Sequence, residues 1–192
     1  MRWVPLLLKT LRLPLLAALT VTVVSGCGFQ LRGTSPVPAA LQPLAIDCPE
    51  SLPARFCESV REQLSLGGIE LQPIETADYQ LKLRNYSKDR RASAITAQAS
   101  AAEYVLRHSV TLELFTSNQV PLIAATELTS SETYRYDETN VLAKQREEEE
   151  LQQQLGDQLA QQVIFRLVPI TQERIDAALK AHSANEKPSE SP

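Results

Sequence analysis

The feature that most limits the fold is a change of period partway along the chain. Between Tyr79 and Tyr136 apolar side chains tend to alternate with polar ones; between Leu151 and Leu167 they recur every four residues. The first pattern belongs to strands half-buried against a core, the second to a long amphipathic helix. Tyr79, Leu81 and Leu83 share one face of a strand running to Tyr86, with Gln80, Lys82 and Arg84 on the other. From Glu103 to Thr116, the side chains Tyr104, Leu106, His108, Val110, Leu112 and Leu114 share a face opposite Arg107, Ser109, Thr111 and Glu113. Ser117-Asn118-Gln119 reads as a turn and Leu122 to Tyr136 as a third long strand. Leu151, Leu155, Leu159, Val163 and Leu167, with Ile164 beside them, are the core stripe of a helix that starts near Glu138 and stops before Pro169.

The flanking segments fit around that frame. Leu44–Asp47 is a short strand stopped by Cys48-Pro49. Ser51 can cap a helix with Pro53 in its first turn, Phe56, Val60 and Leu64 on one face, and Gly67-Gly68 as its end. Thr171 can cap a last short helix carrying Ile175 and Leu179. Helices and strands segregate along the chain, which predicts an α+β domain: two main helices on one face of a four-stranded, mostly antiparallel sheet. Residues 44–181 are the expected single domain, and 182–192, dominated by Ser, Asn, Glu, Lys and Pro, a disordered tail.

Residues 1–26 read as a secretory leader. Arg2, Lys9 and Arg12 precede an apolar run from Leu13 to Val24, well short of the roughly 20 residues a spanning helix needs. Val24-Ser25-Gly26-Cys27 resembles a bacterial lipobox, which implies diacylglyceryl transfer to the Cys27 thiol, cleavage after Gly26 and acylation of the new N-terminus. Buried acyl chains contribute about 0.8 kcal/mol per CH₂, so such an anchor holds. An ordinary leader with a chance cysteine is the bland alternative. Gly28, where lipoprotein sorting rules place Asp for retention, implies export to the outer membrane. Residues 27–43, with Pro36, Pro38 and Pro43, form the lipidated start and an extended tether.

Removing residues 1–26 leaves 166 of 192 residues and, with Arg2, Lys9 and Arg12 gone, moves the formal charge from −4 to −7. An acidic chain is a poor general partner for nucleic acid, so any anionic ligand must be held by a local basic patch. Cys48 and Cys57 remain, an even pair in an oxidising compartment: a disulfide or two buried thiols.

The residues argue against an enzyme. His108 lies mid-strand and reads as a hydrogen-bonded structural histidine; His182 lies in the tail. There is no phosphate loop, no His/Cys metal spacing and no nucleophile elbow. Glu147 to Glu150 point around a helix and read as a solvated face or a contact for basic partner residues. No metal or other cofactor is expected beyond the diacylglycerol and N-acyl chain on Cys27. Residues 80–110 are more informative: Lys82, Arg84, Lys88, Arg90, Arg91 and Arg107 face only Asp89 and Glu103. Lys88 to Arg91 read as a strand end entering a hairpin loop. Guanidinium forks suit phosphate, although a charged strand edge also needs no ligand.

Several stretches resemble the LptE family of lipopolysaccharide-assembly lipoproteins. Cys27-Gly28-Phe29-Gln30-Leu31-Arg32-Gly33 is similar to that family's mature start, and Glu103-Tyr104 to the opening of its long strand. Tyr134-Arg135-Tyr136-Asp137 followed by Val141-Leu142-Ala143-Lys144 resembles its strand-to-helix junction, and the helix ending Arg166-Leu167 its C-terminal core helix. The resemblance implies two helices on a four-stranded sheet, seated as a plug in the LptD β-barrel. It implies help in folding LptD, lipopolysaccharide binding, and delivery of lipopolysaccharide to the cell surface. Lys144 matches a family lysine linked with lipopolysaccharide binding. A second basic residue is expected at the hairpin tip, but Thr96 to Ser100 carry no charge; Arg90 and Arg91 are the nearest candidates by charge and position. The alternatives are a structural lipoprotein of another envelope machine with no glycolipid site, and a lipid-anchored hydrolase. Replacing Cys27→Ser should leave the leader uncleaved and the chain unacylated, read by mass spectrometry of the membrane fraction; normal acylation would contradict the anchor.

Overall fold

The computed structural model describes residues 37–95, 97 and 101–186. The leader, Cys27 and most of the tether lie outside the described residues, as do most of the hairpin tip and residues 187–192. A 3-10 turn at Ala39–Leu41 leads into β1 (Leu44–Asp47), followed by α1 (Ala54–Leu66), β2 (Tyr79–Ile95), β3 (Ala101–Thr116) and β4 (Pro121–Arg135). A second 3-10 turn at Glu138–Asn140 enters α2 (Val141–Leu167), and α3 (Gln172–Glu186) follows.

The sheet order is β1-β2-β3-β4. β1 runs parallel to β2, while β2–β3 and β3–β4 are antiparallel, so the sheet is mixed rather than mostly antiparallel. The reason is connectivity: α1 lies between β1 and β2 and acts as the crossover a parallel pair requires.

Burial follows the alternation. Leu106, His108, Val110, Leu112 and Leu114 of β3 are buried under the helices, with Leu81 and Leu83 of β2 and Leu128 of β4. Phe56, Val60 and Leu64 of α1 and Leu159, Val163 and Leu167 of α2 close the same core. Each such side chain contributes roughly 1.5–3 kcal/mol when fully buried. A second, smaller cluster joins Leu106, Tyr134 and Leu155 under the N-terminal half of α2.

The ends of the elements differ in places from the sequence expectation. Pro53, not Ser51, occupies the cap position of α1, and its carbonyl accepts the Phe56 and Cys57 amides. At the far end Gly68 takes φ +78, which lets Gly68 N–H reach Ser65 O and Ile69 N–H reach Leu64 O. Those two bonds satisfy carbonyls the helix would otherwise orphan, and they return the buried Ile69 to the core. α3 runs to Glu186, past the boundary expected at residue 181.

β2 departs most. It continues to Ile95, so Lys88, Asp89, Arg90 and Arg91 lie within a strand paired to β3, not at a loop entry. Arg84 pairs with Thr111 and Ser87 with Ser109, so Asn85 and Tyr86 together oppose the single residue Val110. Asn85 adopts φ 54, a conformation asparagine tolerates better than most residues. The bulge resets the pleat. Beyond it Tyr86, Lys88 and Arg90 face the helices, and Ser87, Asp89 and Arg91 face the open side.

A disulfide joins Cys48, just past β1, to Cys57 on α1, with Cα atoms 6.2 Å apart. It ties the strand to the crossover helix through a loop of sequence separation 9. On the chain-entropy account, Cys48→Ala with Cys57→Ala should lower unfolding stability by about 2.5–3 kcal/mol, measured by urea denaturation against the oxidised parent.

Candidate functional site

The bulge turns Tyr86, Lys88 and Arg90 toward the helix side of the sheet. Farthest along, Arg90 enters an aromatic cage. Its guanidinium lies 3.6 Å from the centroid of the Tyr104 ring, donates to Tyr134 Oη at 3.1 Å from Nη2, and pairs with Glu148 at 3.2 Å. The Tyr134 hydroxyl donates to Glu148 in turn. Tyr104 stacks on Tyr134 with centroids 5.8 Å apart and meets Tyr136 edge-on at 5.5 Å. A cation over a π face with a partly buried carboxylate beside it is held by several contacts at once. Burial, helped by the bond to Glu148, pushes the Tyr134 hydroxyl up to about 12. Glu148 is therefore an anchor of α2 to the sheet, not simply part of a solvated acidic run.

Lys144 sits in the first turn of α2 and bonds Glu147 at 2.7 Å, with a fifth of its side chain exposed. Just before the helix, the Asp137 carboxyl accepts Thr139 N–H and Oγ1–H, which hold it below the usual carboxylate range. Arg91 alternates with Arg90 and opens on the far face of the sheet, paired with Asp89 and 75% exposed. The structure thus places Lys144 and Arg90 at the same end of α2 and Arg91 on the other side of the sheet.

Closer to the bulge, a buried polar chain crosses from sheet to helix. His108 is fully buried; its Nε2 lies 2.6 Å from Gln152 Oε1 and its Nδ1 2.8 Å from Tyr86 Oη. With an amide oxygen as partner, Nε2–H donates and Nδ1 accepts the tyrosine proton, which fixes the neutral tautomer. Tyr86 also packs on Phe56 of α1 at 5.0 Å between centroids. Burial, and secondarily the Asp157 charge, push its hydroxyl up to about 12. Sequence reasoning foresaw a hydrogen-bonded His108 but neither partner: Tyr86 reaches it only through the bulge, and Gln152 only through the packing of α2 on β3.

Among the described residues no group of three or more His, Cys, Asp or Glu side chains is placed to share a metal ion, and no helix is long and apolar enough to cross a membrane. The opposite sheet face, bearing Arg84, Arg107, Thr111, Glu127 and Thr129, is polar throughout its middle. The described surface thus combines a polar sheet face, a caged arginine and a lysine at a helix start.

The family model for LptE, lipopolysaccharide-assembly, matches residues 41–167, from the turn before β1 to the end of α2. The chain belongs to the LptE family. The LPS-assembly lipoprotein LptE of Photorhabdus laumondii is 30% identical over 161 residues, covering 82% of this chain and 86% of that one. Its counterpart in Pectobacterium atrosepticum is 29% identical over 160 residues, covering 81% and 84%. Among solved structures, a lipoprotein B from Nitrosomonas europaea shares the fold at TM-score 0.61 and 17% identity, covering 81% of this chain and 97% of that one. A minor lipoprotein from Acinetobacter baumannii does so at TM-score 0.58 and 23% identity, covering 69% and 94%. The LptE relatives carry the name of an assembly lipoprotein rather than of a catalyst.

The His108 environment sets a pH dependence. Burial holds its pKa below the usual 6.5, opposed by the bond to Gln152 and aided by Lys88. The unfolded chain therefore binds more protons as pH falls through that value, and stability falls with it. Urea midpoints should drop between about pH 7.5 and 5.5, and the drop should shrink in His108→Gln, whose side chain does not titrate there.

Proposed function

We propose that this LptE-family protein is a non-enzymatic lipoprotein of the outer membrane, anchored through acylated Cys27 on the periplasmic side. Its partner is an LptD-type β-barrel, which it plugs and helps to fold, and its ligand is lipopolysaccharide, which the pair assembles at the cell surface. The observation that carries this reading is the family match across residues 41–167, which takes in all four strands and the whole of α2.

The geometry is consistent with the barrel and lipopolysaccharide parts of this reading. An open polar sheet face suits a plug, because the lumen of an outer-membrane barrel is polar. Lys144 stands at the start of α2 with a single carboxylate partner, so an incoming phosphate can replace Glu147 with a second charge-assisted bond. Arg91 lies on the open face, its pair with Asp89 largely exposed and so weak. Arg90, enclosed by Tyr104, Tyr134 and Glu148, contributes by fixing the helix turn that follows Lys144.

The test is affinity purification from detergent-solubilised outer membrane, followed by detection of the barrel and of bound lipopolysaccharide. Wild type should retain both. Lys144→Asp with Arg91→Asp should keep the barrel and lose roughly tenfold or more of its lipopolysaccharide affinity, with circular dichroism unchanged. Charge reversal at Arg174 or Lys180 on α3 should change neither. Absence of the barrel from the wild-type eluate would refute the partnership; full lipopolysaccharide binding by the double variant would remove Lys144 and Arg91 from the site.

A further inference from the structure

A cleft of about 90 Å³ opens on the helix side of the sheet, between the start of α1 and the middle of α2. Arg55 of α1, Tyr86 and Lys88 of β2, and Gln152, Gln153 and Asp157 of α2 line it. A cavity needs only roughly 10–15 Å³ to admit one water, so this one accepts a small polar group.

The cations differ in what holds them: Lys82 bonds Gln119 and Arg107 bonds Thr129, each without an ion pair. Arg84 is paired with Asp47, Arg90 with Glu148 and Arg91 with Asp89. The side chains of Lys88 and Arg55 form no ion pair and no hydrogen bond among the described residues. These two charges, left without counter-ions, line the same cleft. The buried polar chain supplies a third donor. Gln152 uses its Oε1 to accept from His108, and its amide N–H groups make no other bond among the described residues. Tyr86 donates to His108 and has only acceptor capacity left. The cleft therefore presents an ammonium, a guanidinium fork and an amide, a donor set matched to a phosphate.

Asp157 qualifies that match. A carboxylate in the same cleft repels a bare phosphate but accepts from a sugar hydroxyl or amine. Through Lys88, Gln152 and Gln153 the cleft continues into an open groove of about 660 Å³, which also carries Gln145 and the carboxylates Glu148 and Glu149. Glu148 is already held by Arg90 and Tyr134, leaving amides and Glu149 to meet hydroxyls.

We propose that this cleft binds the phosphate of a phosphorylated hexosamine, with Lys88 and Arg55 gripping the phosphate and the sugar ring lying in the adjoining groove. The inference rests on lipopolysaccharide being the ligand, and it adds a subsite separate from Lys144.

The test uses the full-length acylated protein in detergent micelles, titrated calorimetrically with glucosamine 1-phosphate, glucosamine and inorganic phosphate. In parallel it is presented with phosphatidylcholine vesicles carrying lipid A or enzymatically dephosphorylated lipid A. Wild type should bind glucosamine 1-phosphate more tightly than either fragment, and lipid A more tightly than its dephosphorylated form. Lys88→Gln should weaken both phosphorylated ligands by roughly tenfold or more, and Lys88→Arg should restore much of the loss. Lys180→Gln on α3 should leave glucosamine 1-phosphate binding unchanged. Co-purification of the barrel with Lys88→Gln reports that the variant is folded.

Unchanged affinity in folded Lys88→Gln would overturn the subsite while leaving lipopolysaccharide binding itself intact. Equal binding of inorganic phosphate and glucosamine 1-phosphate would overturn the sugar assignment. A wild type that binds no lipopolysaccharide at all would instead remove the reading on which the subsite rests.

Discussion

The bulge at Asn85 and Tyr86 is the constraint on which the rest of the site depends. A strand has a side-chain period of two, so one extra residue exchanges the faces of everything beyond it. Without it, Tyr86, Lys88 and Arg90 would point away from the helices, and Ser87, Asp89 and Arg91 would point toward them. His108 would lose its tyrosine partner and Glu148 its arginine. The positive φ of a single asparagine thus decides that a cation and a tyrosine, rather than an acid and a serine, meet α2.

This explains what was legible in the residues and what was not. The alternation in β3 and the four-residue stripe of α2 are strong because each faces one core, and Leu106 to Leu114 and Leu155 to Leu167 are buried as their spacing indicates. The far half of β2 was hidden because Lys88-Asp89-Arg90-Arg91 shows no apolar alternation. Both of its faces accept charge, one from solvent and one from the glutamates of α2. The direction of β1 was hidden for another reason. A strand of four residues carries no directional pattern, and only the helix between it and β2 forces the parallel pairing. At the C-terminus, composition outweighed helix propensity: Ala181, Ala184 and Glu186 favour the helix that polar neighbours disguised.

The same arrangement shows how an acidic chain can present cations to the proposed anionic ligand. Net charge acts at long range and is screened within roughly 8 Å at physiological ionic strength. Recognition then depends on which cations remain available at contact. Among the described residues the fold ties Arg84 and Arg90 to carboxylates as supports, and leaves Lys88 and Arg55 without such partners beside a cleft. The local inventory differs from the composition because the sheet sorts charges by face.

The mismatch in strand length has a consequence for how the molecule yields. β1 pairs with β2 only from Tyr79 to Lys82, whereas β2 runs on to Ile95. Near β1 the sheet has four strands, a disulfide and the main core; toward Ile95 it is a three-stranded ribbon clamped by the Arg90 cage and a small cluster around Tyr134. Free energies of local opening follow buried contact, so the two ends are expected to open at different cost. Amide protection should therefore grade along a single strand, high at Leu81 and lower at Ala92. Lys144 lies toward the more lightly tied end, while the crossover helix and its disulfide brace the other.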